Sequence, residues 1–321
     1  MISAAELAEQ ATARILADLG RAHRGVVVDS PPGAGKSTLV VRTAAALADA
    51  REHVMVVAQT NEQVDDLTGR LAAARPRLAV GRLAASDHVP SERVARHEHV
   101  TFATKAGDLA GCPVVLSTAH KWATVRADAT WPWAIVDEAY QMRSDLLLRV
   151  AGLFDRALFV GDPGQLDPFS AVQTERWTGL TWDPMQSAVA VLIRHNPDVP
   201  VHTLPVSWRL PESAAPLIAE AFYPFTGFRA ATSAEQRRVG FSTRPFGKNA
   251  LDLAVETAAA SGWALYELPA RHTLRTDAEA VAACAALAAR VVQRGALSYS
   301  ERAAEGAPVT ADRVAVGTAH R

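Results

Sequence analysis

The sequence predicts an α/β fold, a parallel sheet with helices on both faces, from two observations. The first is the nonapeptide Ser30-Pro31-Pro32-Gly33-Ala34-Gly35-Lys36-Ser37-Thr38, set between the apolar run Gly25–Asp29 and the helix-forming Leu39–Ala48. The second is a series of further short apolar runs, each ending in polar residues. They are Val54–Ala58, Pro113–Thr118, Trp131–Glu138 and Ala157–Val160. Polar ends of parallel strands stand where ligands bind in such sheets.

A strand, a glycine turn and a helix opening on Gly-Lys-Ser form a P-loop arrangement. Backbone N–H groups of the loop and the helix N-terminus face the negative charge of a nucleotide's phosphates. Pro32, Gly33, Ala34, Gly35, Lys36, Ser37 and Thr38 make up the predicted cradle. Gly33 and Gly35 allow a close backbone approach. Lys36 places a cation on the β- and γ-phosphates, and the Ser37 hydroxyl can ligate Mg²⁺. The usual pattern begins with glycine, whereas Ser30 stands here, followed by the stiffening Pro31-Pro32. The competing reading is a plain strand–turn–helix.

At 321 residues, 49% hydrophobic and with a net charge of −1, the chain has material for about two domains and a sizeable core. Global basicity does not advertise nucleic acid, so any such binding must use local patches. Cys112 and Cys284 lack ligand-type spacing, which argues against a disulfide framework or a zinc site and fits a reducing compartment. No apolar run has the length of a membrane span, and the N-terminus shows no signal pattern. The expectation is a soluble cytoplasmic protein without a membrane partner.

Taken in order, Ser3-Ala4-Ala5-Glu6 is a capping box opening a helix to about Leu19. Gln10 lies in it; its amide can donate and accept at once, which suits the adenine edge, although a solvated glutamine is the alternative. After Val54–Ala58, Asn61 can cap the helix carrying Val64, Leu67 and Leu71. Residues 75–111, rich in arginine and histidine, read as a small insertion outside the sheet. Trp131–Glu138 is an apolar strand delivering two carboxylates: Asp137 would hold the metal, and Glu138 would act on the attacking water as general base. In Gly161–Pro168, Gln165 sits in a shaped loop where it could position the γ-phosphate or the water. Val201–Val206 is followed by Trp208, an adenine-stacking face, and Arg209, a phosphate fork. Beyond Phe222 the texture changes. Residues 225–250 interleave basic side chains with aromatics (Phe246 and Lys248 among them), as single-strand-binding surfaces do and as exposed connections also can. Trp263–Leu268 and Arg313–Thr318 read as strands, and Thr276–Arg294 as a helix capped by Thr276 or Asp277.

In this order, SPPGAGKST, VVAQTNEQVDDL, VVLSTAHKW, IVDEAYQM, GDPGQLDP and SWRLP resemble a superfamily 1 helicase. The DEAxQ form and the GDxxQL loop are similar to the branch that contains the nonsense-mediated-decay RNA helicase. The resemblance implies RecA-like lobes with ATP between them and a single strand of DNA or RNA across their top. It implies Gln10 and Trp208 at adenine, Lys36 and Ser37 at phosphate and Mg²⁺, and Asp137 and Glu138 as metal carboxylate and base. Gln165 would sense the γ-phosphate and Arg209 would contact it. Thr60, Asn61, Ser117 and Thr118 would touch the nucleic-acid backbone.

The expected organisation is a first lobe over 1–225 with the insertion at about 75–111, a linker over 226–260, and a partial second RecA-like lobe over 261–321. VAVGTAHR resembles an early strand of that second lobe, so the sequence reads as a truncated form. None of Arg271, Arg275, Arg290, Arg294 or Arg302 sits in the family's arginine-finger pattern, and a further domain or chain would supply that finger. The alternative is a nucleotide-dependent binding or switch module with little turnover.

Overall fold

The computed structural model describes residues 2–21, 23–126, 130–168, 175–180, 183, 185–233, 235–244, 249–273 and 276–317. Phe246, Lys248, Arg275 and residues 318–321, named above, lie outside these. The chain divides into two compact units, one of residues 1–206 with 222–228, the other of 207–221 with 229–321.

The first unit opens on α1 (Ala4–Leu19), where Ser3 and Glu6 close the expected capping box. The succession is then β1 (Gly25–Asp29), α2 (Lys36–Asp49), β2 (Val54–Ala58), α3 (Asn61–Ala74), β3 (Val80–Leu83), α4 (Glu92–Ala95) and β4 (Val100–Ala103). After these come β5 (Val114–Thr118), α5 (Ala119–Trp122), β6 (Trp131–Asp137), α6 (Ser144–Val150), β7 (Phe154–Gly161), α7 (Ala188–His195) and β8 (Val201–Thr203). The eight strands form one sheet in the order β4-β3-β5-β2-β6-β7-β1-β8, and every pairing in it is parallel.

Both faces are covered, so the strands read as unbroken apolar runs although their side chains alternate. Val26, Val28, Val54 and Val56 join one core with residues of α1, α2 and α3. Val27, Met55 and Val57 join the other with residues of α5, α6 and α7. Trp122, fully buried, donates its indole N–H to Val56 O at 2.9 Å.

Residues 75–111, expected outside the sheet, supply β3 and β4 at its edge. The misleading residue is Arg82: it is fully buried, and its Nε donates to Asp65 of α3 at 2.9 Å. The cap of α3 is Thr60, whose side chain accepts from Gln63 N, with Asn61 the first helical residue.

Val206–Ser207 (β9) pairs with Arg229–Ala230 (β10), and Ala215–Phe222 is α8. The second unit continues with β11 (Arg238–Phe241), α9 (Ala250–Ser261), α10 (Ala278–Gln293), β12 (Ala296–Ser300) and β13 (Ala303–Pro308). β11, β12 and β13 form an antiparallel sheet. Asp277 caps α10, as expected. Helix α9, inside the stretch read as a linker, is capped by Asn249 and ends on left-handed Gly262. Trp263–Leu268 and Val314–Gly317 form no strand. Apolar runs become strands only where a neighbouring ladder receives their backbone groups, and none does here among the described residues. In that set, no helix is long and apolar enough to cross a membrane.

Candidate nucleotide site

Three adjacent strands deliver the site. β1, β7 and β6 lie side by side, with Asp29 level with Gly161 and Asp137 level with Val160. Their C-terminal ends therefore bring the loop after β1, the Asp137-Glu138 pair and the Gly161–Gln165 turn to one edge.

The loop after β1 has the geometry of a phosphate cradle. Gly33 and Gly35 adopt φ of 72° and 95°, in the left-handed region that favours glycine. Gly35 opens α2 without any side-chain cap, so the N–H groups of the first turn carry the partial positive charge of the helix end. Ser30 is fully buried, donates its N–H to Gly161 O at 2.8 Å and has no left-handed backbone. That position therefore does not require the usual glycine.

Lys36 lies among carboxylates. Its Nζ donates to Glu138 Oε2 at 3.1 Å and stands 3.9 Å from Asp162 Oδ2. Asp137 is 5% exposed, and its buried Oδ1 has no hydrogen-bond partner among the described residues. Burial pushes its carboxyl up to about 6; Glu138 adds to the rise and Lys36 opposes it. Glu138 has φ of 50°, a conformation that costs a non-glycine residue about 1–3 kcal/mol and clusters at functional sites. The chain turns sharply there, with Ala139 N–H returning to Val160 O at 3.0 Å.

Gln165 is held at both ends of its amide. Its Nε2 donates to Asp162 Oδ2 at 3.1 Å, and its Oε1 accepts from Gln141 Nε2. Asp162, 1% exposed, also accepts from Gly164 N at 3.0 Å and from the Tyr223 hydroxyl at 2.5 Å. Asp29 accepts from the Tyr140 hydroxyl at 2.6 Å. Burial raises the Asp29 carboxyl above its usual range, against the Tyr140 bond and with the help of Asp162. Burial and their carboxylate partners lift both tyrosines, so each remains a donor.

The structure thus brings together Pro32–Thr38, Asp137, Glu138 and Gln165. Gln10 is exposed on α1. Trp208 and Arg209 belong to the second unit, where both are exposed and the Arg209 carbonyl accepts from Arg237 Nη1 at 2.7 Å. Of the residues expected at nucleic acid, Thr60 and Thr118 cap α3 and α5 with their hydroxyls. Ser117, fully buried, donates to Leu83 O at 2.6 Å. Asn61 is exposed, and its Oδ1 accepts from Arg82 Nη2 at 2.9 Å. Sequence reading assigned no role to Asp29, Tyr140, Asp162 or Tyr223. The available signal was two acids at strand ends, Asp29 and Asp162, beside the glycine-rich turns.

A comparison with curated proteins found no match. Among solved structures, Arterivirus nonstructural protein 10 (helicase) is 17% identical, with a TM-score of 0.44, covering 71% of this chain and 43% of that one. Its complex with DNA gives the same identity and TM-score over 76% and 47%. Pif1 from Bacteroides sp, in complex with ADP-AlF4, is 15% identical with a TM-score of 0.39 over 66% and 45%. The chain spans less than half the length of each of these. Residues 7–180 match the family of the AAA domain. That match covers more than half of the 321 residues and contains the cradle, β6 and β7, and so the chain belongs to the AAA domain family of P-loop ATPases.

Proposed function

We propose that this chain is the ATP-hydrolysing motor module of a superfamily 1 nucleic-acid helicase, coupling turnover to movement along single-stranded DNA or RNA. The observation that supports it most is the meeting of Lys36, Asp137, Glu138 and Gln165 at the ends of three neighbouring parallel strands. The order of motifs after them supports the helicase reading over other P-loop enzymes.

The residues fit Mg²⁺. Among the described residues Asp137 Oδ1 is a buried carboxylate oxygen without a partner, a ligand suited to a hard cation, and Ser37 on the first turn of α2 would be its companion. When bound, the ion would supply positive charge to the phosphate oxygens. Phosphates in the cradle draw Lys36 away from Glu138. The released carboxylate can then accept a proton from the attacking water, while the Gln165 amide orients that water. Gln10 and Trp208 would hold adenine, and Arg209 the γ-phosphate, with a further arginine finger from another domain or chain. Thr60, Asn61, Ser117 and Thr118 are proposed at the strand.

The test is steady-state ATPase with and without a single-stranded oligonucleotide. Turnover that rises with the strand and disappears in Glu138→Gln, while that variant keeps its ATP-induced rise in Tm, is the expected result. ATP binding without turnover in the wild type would favour the switch reading, and no ATP-induced rise in Tm would reject both.

A further inference from the structure

Tyr223 is singled out by three observations. Its hydroxyl donates to Asp162 Oδ1 at 2.5 Å inside the first unit, and the side chain is 4% exposed. Its ring packs edge-on against Phe228 at 5.5 Å between centroids. The turn beneath it is shaped to receive it: a Cβ on Gly164 would lie 2.6 Å from Tyr223 Cζ. A real Cβ contact is never that short, so tyrosine and glycine fit as a pair.

The Asp162 carboxylate is the hub of the turn. One oxygen takes the Tyr223 hydroxyl and Gly164 N–H; the other takes Gln165 Nε2 and faces Lys36 Nζ at 3.9 Å. With one Nε2 hydrogen on Asp162 and Oε1 on Gln141, Gln165 has its second Nε2 hydrogen without a partner among the described residues and available to a ligand. Losing the Tyr223 donor would leave a buried carboxylate short of one bond. Asp162 would then compete for Lys36 and slacken its hold on Gln165. The chain path adds a further point. Residues 222–228 are a short excursion into the first unit, flanked on both sides by segments of the second.

We infer that Tyr223 is a positioning residue for ATP turnover: its hydroxyl latches Asp162, Asp162 sets Gln165, and the latch sits on a segment whose chain continues at both ends into residues of the second unit. Nucleotide binding is left to the cradle, and the latch acts on the step after binding. The inference rests on the ATPase reading, and its test separates the two.

The full chain is compared with Tyr223→Phe, which keeps the ring against Gly164 and Phe228, and with Tyr223→Leu. Tyr223→Phe is expected to keep its ATP-induced rise in Tm and its KM within about threefold while kcat falls about tenfold, in line with loss of one hydrogen bond to a charged group. Tyr223→Leu is expected to fall at least as far. A kcat within twofold of wild type in Tyr223→Phe would overturn the latch. If the wild type binds ATP without turning it over, the ATPase reading fails by itself and hydrogen exchange decides the latch. ATP is expected to slow exchange in residues 222–228 of the wild type but not of Tyr223→Phe, and equal protection in the two would reject the latch.

Discussion

Asp137 is a buried carboxyl of the candidate nucleotide site, opposed by the neighbouring Glu138. Its carboxyl is raised from 3.8 to about 6, so the folded chain binds more protons than the unfolded chain between those values. Stability should therefore fall as pH rises through about 4 to 6 and stay level above, by on the order of 3 kcal/mol for this group. Asp137→Asn removes the penalty. It should unfold at higher denaturant than wild type at pH 8, with the gap closing toward pH 4, and should lose Mg²⁺-dependent ATP binding. A gap that does not change with pH would mean the buried charge is not the cause. Lys36→Ala should abolish the ATP-induced rise in Tm, which for a ligand at ~100-fold excess over Kd corresponds to about 2.7 kcal/mol. An undiminished shift in that variant would place the phosphates elsewhere.

At the level of elements, β1, β2, β5, β6 and β7 were legible because burial on both faces leaves them almost purely apolar. β3 and β4 were not, and the reason is physical: Arg82 is fully buried against the Asp65 carboxylate, so a charged residue stands inside the fold. That pair has consequences of its own. Asp65→Ala leaves the buried guanidinium without its carboxylate, held only by neutral acceptors such as Asn61 Oδ1 and Leu83 O, and breaking a buried pair in this way typically costs about 3–5 kcal/mol. Urea unfolding should show that loss, and replacing both partners by apolar residues should restore much of it. A loss under 1 kcal/mol would show that water reaches Arg82. The grouping of the candidate site was legible where its residues are local, as in the cradle, Asp137 and Glu138. It was illegible where a partner comes from far along the chain: Tyr223 meets Asp162 across 61 positions, and Tyr140 meets Asp29 across 111. No local spacing encodes such pairs. Helix α9 did carry signals, Asn249 at its start and Gly262 at its end, but its alanine-rich face lay in a stretch whose polar neighbours suggested a connection.

On the scale of the whole molecule, the units differ in how deeply they bury their helices. Ile15 and Leu19 of α1 and Leu67 and Leu71 of α3 are buried, whereas no residue of α10 is. Limited proteolysis should cut first in residues 263–273, which form no helix or strand, with the first unit persisting as a large fragment. First cuts within β1–β7 would reverse that order of stability. The segment from Phe222 to Phe228 also bears on how the protein is made. Because it belongs to the first unit yet follows residues 207–221 of the second, the first unit is not one continuous stretch of chain. A ribosome adding about 5–20 residues per second releases Asp162 several seconds before Tyr223, which lies 61 positions later. During that interval the turn after β7 exists without its final donor. The candidate nucleotide site gains that donor only after residues 207–221 of the second unit have emerged, and a fragment ending at residue 206 would reproduce that unfinished state permanently.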